Sequence, residues 1–136
     1  MSTPQSYDAV HDYLIANWST TPIAFENDRF EPPTDAETWL FVEVFGDLFA
    51  QESIGAETQA ANLWREAGQI YVHVMTPRGA GTRTARLYAS QIADLFRGQE
   101  IAGVVFRDAS IGAGEPGKAD GSYFRMTVTI DWQRDE

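Results

Sequence analysis

The chain has 136 residues, 43% of them hydrophobic and 12% aromatic, which is enough for one domain with its own core and too apolar for a disordered chain. It has no cysteine, which excludes disulfides, cysteine-ligated zinc, iron–sulfur clusters and thiol catalysis; no apolar run approaches the roughly 20 residues that span a bilayer. Twenty acids against ten bases leave a net charge of −10, which opposes stable binding to nucleic acid or to an anionic membrane.

The N-terminus, Met1 to Ser6, has neither basic residues nor an apolar stretch and does not read as a secretory signal. A helix is predicted from about Pro4 to Asn17. Proline suits the first turn, where its missing N–H would be unpaired anyway. Tyr7, Val10, Leu14 and Trp18 fall at spacings of three and four and make one apolar stripe, with His11 and Asp12 off it. Ser19 to Pro22 stops the helix, and Pro22 to Asn27 reads as a short extended segment. Pro32-Pro33 keeps the next stretch out of a helix or a central strand.

Thr38 to Phe45 is the clearest strand. Leu40, Val42 and Val44 share one face; Trp39, Phe41 and Phe45 share the other with Glu43. A strand apolar on both faces is either covered twice or packed on a partner chain. Asp47 to Ala61 is small and polar. Leu63 to Met75 reads as a second strand interrupted near Gly68, giving a long hairpin with its tip near Ile54–Gln59. Thr76 to Gly81 is a turn. Thr82 to Arg97 is a second helix with Ala85, Tyr88, Ile92, Leu95 and Phe96 as its buried stripe, Thr82 as N-cap and Gly98 past its end. Val104 to Phe106 is a fourth strand and Ser110 to Ser122 a glycine-rich loop. Tyr123 to Trp132 is a last strand with clean alternation. The order α-β-β-β-α-β-β implies a single α+β domain over residues 1–136. Its sheet is largely antiparallel or mixed, with about five strands, and both helices pack on one face.

No motif specifies a chemistry. Gly112 to Lys118 matches the phosphate-loop pattern through its lysine, but Ala119 offers no hydroxyl to Mg²⁺ and a strand follows instead of a helix. Asp8, His11 and Asp12 share two turns of a helix without further ligands to complete a metal site. His73 stands on a strand between Tyr71 and Met75 without an identifiable acid–base partner. Arg78, Arg83 and Arg86 surround Gly79-Ala80-Gly81-Thr82 before a helix, which could hold an anion; a tight turn capped by Thr82 is the favoured reading, and pairing of the arginines with the acidic first half of another copy is a further one. The charge is lopsided in a way that suits a head-to-tail contact between copies. Residues 1–52 hold ten acids and one base, whereas residues 53–136 hold ten acids and nine bases.

Thr21 to Asn27, then Phe30-Glu31-Pro32-Pro33, the aromatic strand Trp39–Phe45, Gly68 to Val74, Pro77, Gly79 and Gly81 before an amphipathic helix form a familiar arrangement. From about Tyr7 to Trp132 it resembles the tail terminator (tail completion) proteins of long-tailed bacteriophages and the related gene transfer agents and prophage remnants. The resemblance implies a small α+β subunit of a homo-hexameric ring at the head-proximal end of the virion tail, assembled in the host cytoplasm. Such a ring caps the tail tube protein, stops tube growth and meets the head-closure or connector protein, while DNA passes the lumen without stable binding. It implies no catalytic residue, cofactor, metal or membrane contact. For the interface of such a ring the residues themselves offer Trp39, Phe41, Phe45, Ile54, Arg78, Arg83 and Arg86. Another neck or minor tail component, or a small-molecule binding module, are the alternative readings.

Overall fold

The computed structural model describes residues 3–31, 37–112, 118–120 and 123–136. The expected Pro32-Pro33 break and most of the Gly112–Lys118 loop lie outside them. Helix α1 spans Pro4–Asn17 and strand β1 Ile23–Phe25. Strands β2, Trp39–Gln51, and β3, Trp64–Pro77, follow, joined through a 3-10 turn at Gln59–Ala61. Helix α2 covers Arg83–Phe96. The chain ends with β4 (Glu100–Ile101), β5 (Val104–Ile111), β6 (Lys118–Asp120) and β7 (Tyr123–Asp135).

The strands form one sheet in the order β1-β2-β3-β7-β5-β4, with β6 alongside the start of β7. Only β1 runs parallel to its neighbour, so the sheet is mixed. Five strands were expected, and the two additional ones, β4 and β6, have two and three residues. A period of two cannot show itself over so short a run. Lys118 leads directly into β6, so no helix follows the phosphate-loop look-alike.

The inner face of the sheet is the core. Leu40, Val42 and Val44 of β2, Ile70, Val72 and Val74 of β3, and Val128, Ile130 and Trp132 of β7 are all buried against both helices. Each such side chain stabilises the fold by about 1.5–3 kcal/mol relative to exposure. α1 contributes Ala9, Val10 and Leu14; α2 contributes Ala85, Ala89, Ile92, Ala93 and Phe96. Tyr13 ties the helices together. Its hydroxyl donates to Leu95 O (2.8 Å) and its ring meets Phe96 edge-on at 5.3 Å. Tyr88 and Leu95, expected inside the α2 stripe, are half-buried at its margin.

Three local expectations are revised. Thr82 precedes α2 but makes no side-chain cap; its φ of −114° and ψ of −2° are already helical, and its hydroxyl accepts from Arg86 Nε (3.1 Å). β2 does not stop at Phe45 but runs on to Gln51, through a bulge between Gly46 and Leu48 opposite Gly68. The bulge adds a residue on one strand and breaks the alternation on which a sequence reading depends. Gly68 is therefore not an interruption of β3. It is the point where the partner strand comes closest, and a Cβ there would stand 1.9 Å from Phe45 O.

Candidate assembly surface

Among the described residues no helix lies on the outer face of the sheet. Its rows are set by register: Trp39, Met75 and Arg125; Phe41, His73 and Thr127; Glu43, Tyr71 and Thr129; Phe45, Gln69 and Asp131. The first row is taken into a small second cluster, where Trp39 is 9% exposed and packs on Phe30 (5.0 Å) and edge-on against Tyr123 (5.8 Å). Phe41 is half-buried over the His73 ring (5.8 Å, 23°), and Phe45 is exposed. Of the three aromatics expected on a face awaiting a partner, only Phe45 is exposed.

His73 has the partners its sequence context did not reveal. Its Nε2 lies 2.6 Å from Glu43 Oε1 and its Nδ1 2.7 Å from Thr127 Oγ1. Carboxylate, imidazole and hydroxyl in line have the order of a nucleophile–base arrangement. Thr127 is buried, however, so its hydroxyl cannot meet a substrate. Tyr71 continues the network by donating to Gln69 Oε1 (2.6 Å), and Gln69 Nε2 donates to Asp131 Oδ1 (3.2 Å). The set reads as a satisfied polar ladder that fixes strand register. The cavity beside it, lined by Trp39, Phe41, His73, Met75 and Arg125, holds about 240 Å³, below the usual size of a ligand site. On α1, His11 lies 3.0 Å from Asp12 Oδ1 and rests on the Phe25 ring at 4.5 Å. Among the described residues no three His, Asp or Glu side chains converge on one point.

The β2–β3 hairpin is different. Beyond the bulge it projects as an arm past the core. Of the eight large apolar side chains exposed among the described residues, five lie between residues 45 and 63: Phe45, Leu48, Phe49, Ile54 and Leu63. The tip is ordered by one side chain that was not anticipated. Asn62 Oδ1 accepts from Ser53 Oγ (3.0 Å) and the Ala56 N–H (2.8 Å), while Nδ2 donates to Ala56 O and Thr58 O. Ile54 stands fully in solvent on this frame. At the root, Arg65 grips Asp135 through Nε (2.7 Å) and Nη2 (2.9 Å); that hydrogen bond holds the Asp135 carboxyl below its ordinary value. Glu66, the neighbouring residue on the inner face, is buried and caps α1 from a distance.

Arg78, Arg83 and Arg86 lie at the opposite end of β3, on the turn into α2, and all three are exposed. Positive φ at Gly79 (85°) and Gly81 (78°) lets the chain reverse tightly there. Residues 43–64 hold four acids and no base, and residues 67–93 hold three arginines and no acid. The two ends of the hairpin are therefore unlike in charge and in apolar content. Of the expected interface set, Ile54 belongs to the arm and the arginines to the far turn; Phe45 stands on the outer face just before the bulge, and Trp39 and Phe41 lie further back on that face.

Comparison with known proteins agrees on fold and family. One solved structure superposes with a TM-score of 0.67 at 20% identity, covering 98% of this chain and 96% of that one, which shows the same fold. No curated protein matches. The family described as phage tail terminator protein matches residues 6–132, from within α1 almost to the end of β7. A chain matched over nearly its whole length, including both helices, the sheet and the arm, belongs to the phage tail terminator family.

Proposed function

We propose that the protein forms a ring at the head-proximal end of the tail, where it covers the tube, ends its growth and presents a surface to the head connector. A tail structural role follows from the family, which is structural and not enzymatic. The observation that carries the finer reading is the unlikeness of the two ends. An apolar, acidic arm and an arginine turn are unlike patches that complement each other between copies. They suit a head-to-tail contact, and such contacts close into rings or run on as filaments. A tube built by head-to-tail addition needs a last layer whose free face refuses another. That task requires complementary surfaces and no reactive group.

An acidic subunit also suits a passage for DNA, because a wall of net negative charge does not retain phosphates. The test is direct. Purified protein carrying a gold label is mixed with isolated tail tubes and viewed by negative-stain microscopy. Label is expected at one end of each tube. Label along the shaft, or no binding, would contradict the reading.

A further inference from the structure

We propose that the arm of one copy docks on the arginine turn of the next copy. The contact rests on the reading of the protein as a head-to-tail assembling tail cap and names where the two copies meet. The β2–β3 arm gathers four of the eight large apolar side chains left exposed among the described residues, with Leu48 and Ile54 the most open. Asp47, Glu52 and Glu57 accompany them, and all three are exposed. Like charge disfavours pairing of two arms with each other.

The complementary patch lies on the same chain. Arg83 and Arg86 project from the first turn of α2, with Leu87, 45% exposed, beside them. Exposed apolar area and opposite charge thus occur together on both patches. One copy cannot join them to each other. The arm begins past the bulge opposite Gly68 and the turn follows where β3 ends at Pro77; the stretch of β3 between them holds them roughly 30 Å apart. The arm can reach an arginine turn only on another copy. Asn62 holds the tip in shape before any partner arrives, which lowers the entropy lost on docking.

Because the chain has no cysteine, single cysteines report the contact without background. Gly55 has open space around it, and Thr84 is exposed next to Arg83. Gly55→Cys protein is mixed with Thr84→Cys protein and treated with a short bis-maleimide linker, both free and in the presence of isolated tails. Cross-links between the two variants should dominate over links within either one. Adding Arg83→Glu and Arg86→Glu to the Thr84→Cys chain should lower the yield about tenfold. Adding Asp47→Arg and Glu57→Arg to the Gly55→Cys chain as well should restore it. Glutamate in the first turn of a helix is favourable, so α2 should survive the reversal, and circular dichroism checks that it does. Cross-links only from arm to arm, or none with and without tails, would overturn the proposal. Failure here with gold still at the tube end would remove this contact and leave the tail role standing. An arm-to-turn cross-link without tube binding would do the reverse.

Discussion

Gly68→Ala should destabilise the protein by about 3 kcal/mol or more, as an overpacked site with no room to relax. The new Cβ would sit 1.9 Å from Phe45 O and 2.9 Å from Gly46 Cα, and both are backbone atoms of the adjacent strand. A flexible side chain could swing away; a strand held by pairing on both sides of the bulge cannot. The register from Trp39↔Met75 to Gln51↔Trp64 would have to open at its middle, and the arm beyond would lose its anchor. Thermal unfolding followed by circular dichroism should show a melting temperature lower by roughly 10 °C or more. Gly55→Ala is the control, since nothing lies within 4 Å of its Cβ position, and it should be near neutral. Equal melting temperatures for the two variants would mean that the strands do not approach as described.

Glu66→Ala should have the second large effect, about 2–4 kcal/mol. The buried carboxylate accepts from the Thr3 N–H (2.6 Å), the Thr3 hydroxyl (2.7 Å) and the Ser6 hydroxyl (3.0 Å). α1 has no side-chain cap of its own, so Glu66 supplies the negative charge and the acceptor that a helix N-terminus needs. It also stands 3.7 Å from Arg134 Nη1, on a side chain that is 15% exposed. Truncation leaves a buried hydroxyl without its carboxylate acceptor and a largely buried guanidinium with Glu136 as its remaining acidic neighbour among the described residues. Glu66→Gln, which keeps the shape and loses the charge, should fall between. Hydrogen exchange should show the first turn of α1 opening in Glu66→Ala while α2 keeps its protection. Uniform loss across both helices would argue against a local cap.

These two residues mark the limit of what the sequence discloses. The helices were legible because Val10, Leu14, Ala85 and Ile92 recur at helical spacing, and α1 has the expected bounds of Pro4 and Asn17. β7 was legible because Met126, Val128, Ile130 and Trp132 alternate without a break. The arm was not. Past Phe45 the bulge shifts the alternation, so Leu48 and Phe49 fall out of step with Leu40, Val42 and Val44 although the strand continues to Gln51. Glu66 caps a helix 60 and 63 residues away in sequence, a distance at which no local spacing signals a partner. His73 gave no sign of Glu43 and Thr127, because cross-strand neighbours are set by register, which no local spacing shows. Trp39 illustrates the converse case. Its place on the outer face was read correctly, but Phe30 and Tyr123, on other segments of the chain, cover it. Local pattern gives the face a side chain points to; what lies against that face is decided by the rest of the fold.

The family places the chain in the tail, and the proposed role makes one quantity decisive: the length of the tube when this protein is missing. Lysates of the parent phage or prophage and of a strain lacking this gene are compared by negative-stain microscopy, with tube length measured for several hundred particles in each. If the protein ends tube growth and joins tail to head, the deletion should give filled heads without tails and tubes of abnormal length, and purified protein added back should reseal correctly sized tubes at one end. Tails of normal length, joined normally to heads in the deletion strain, would contradict the account.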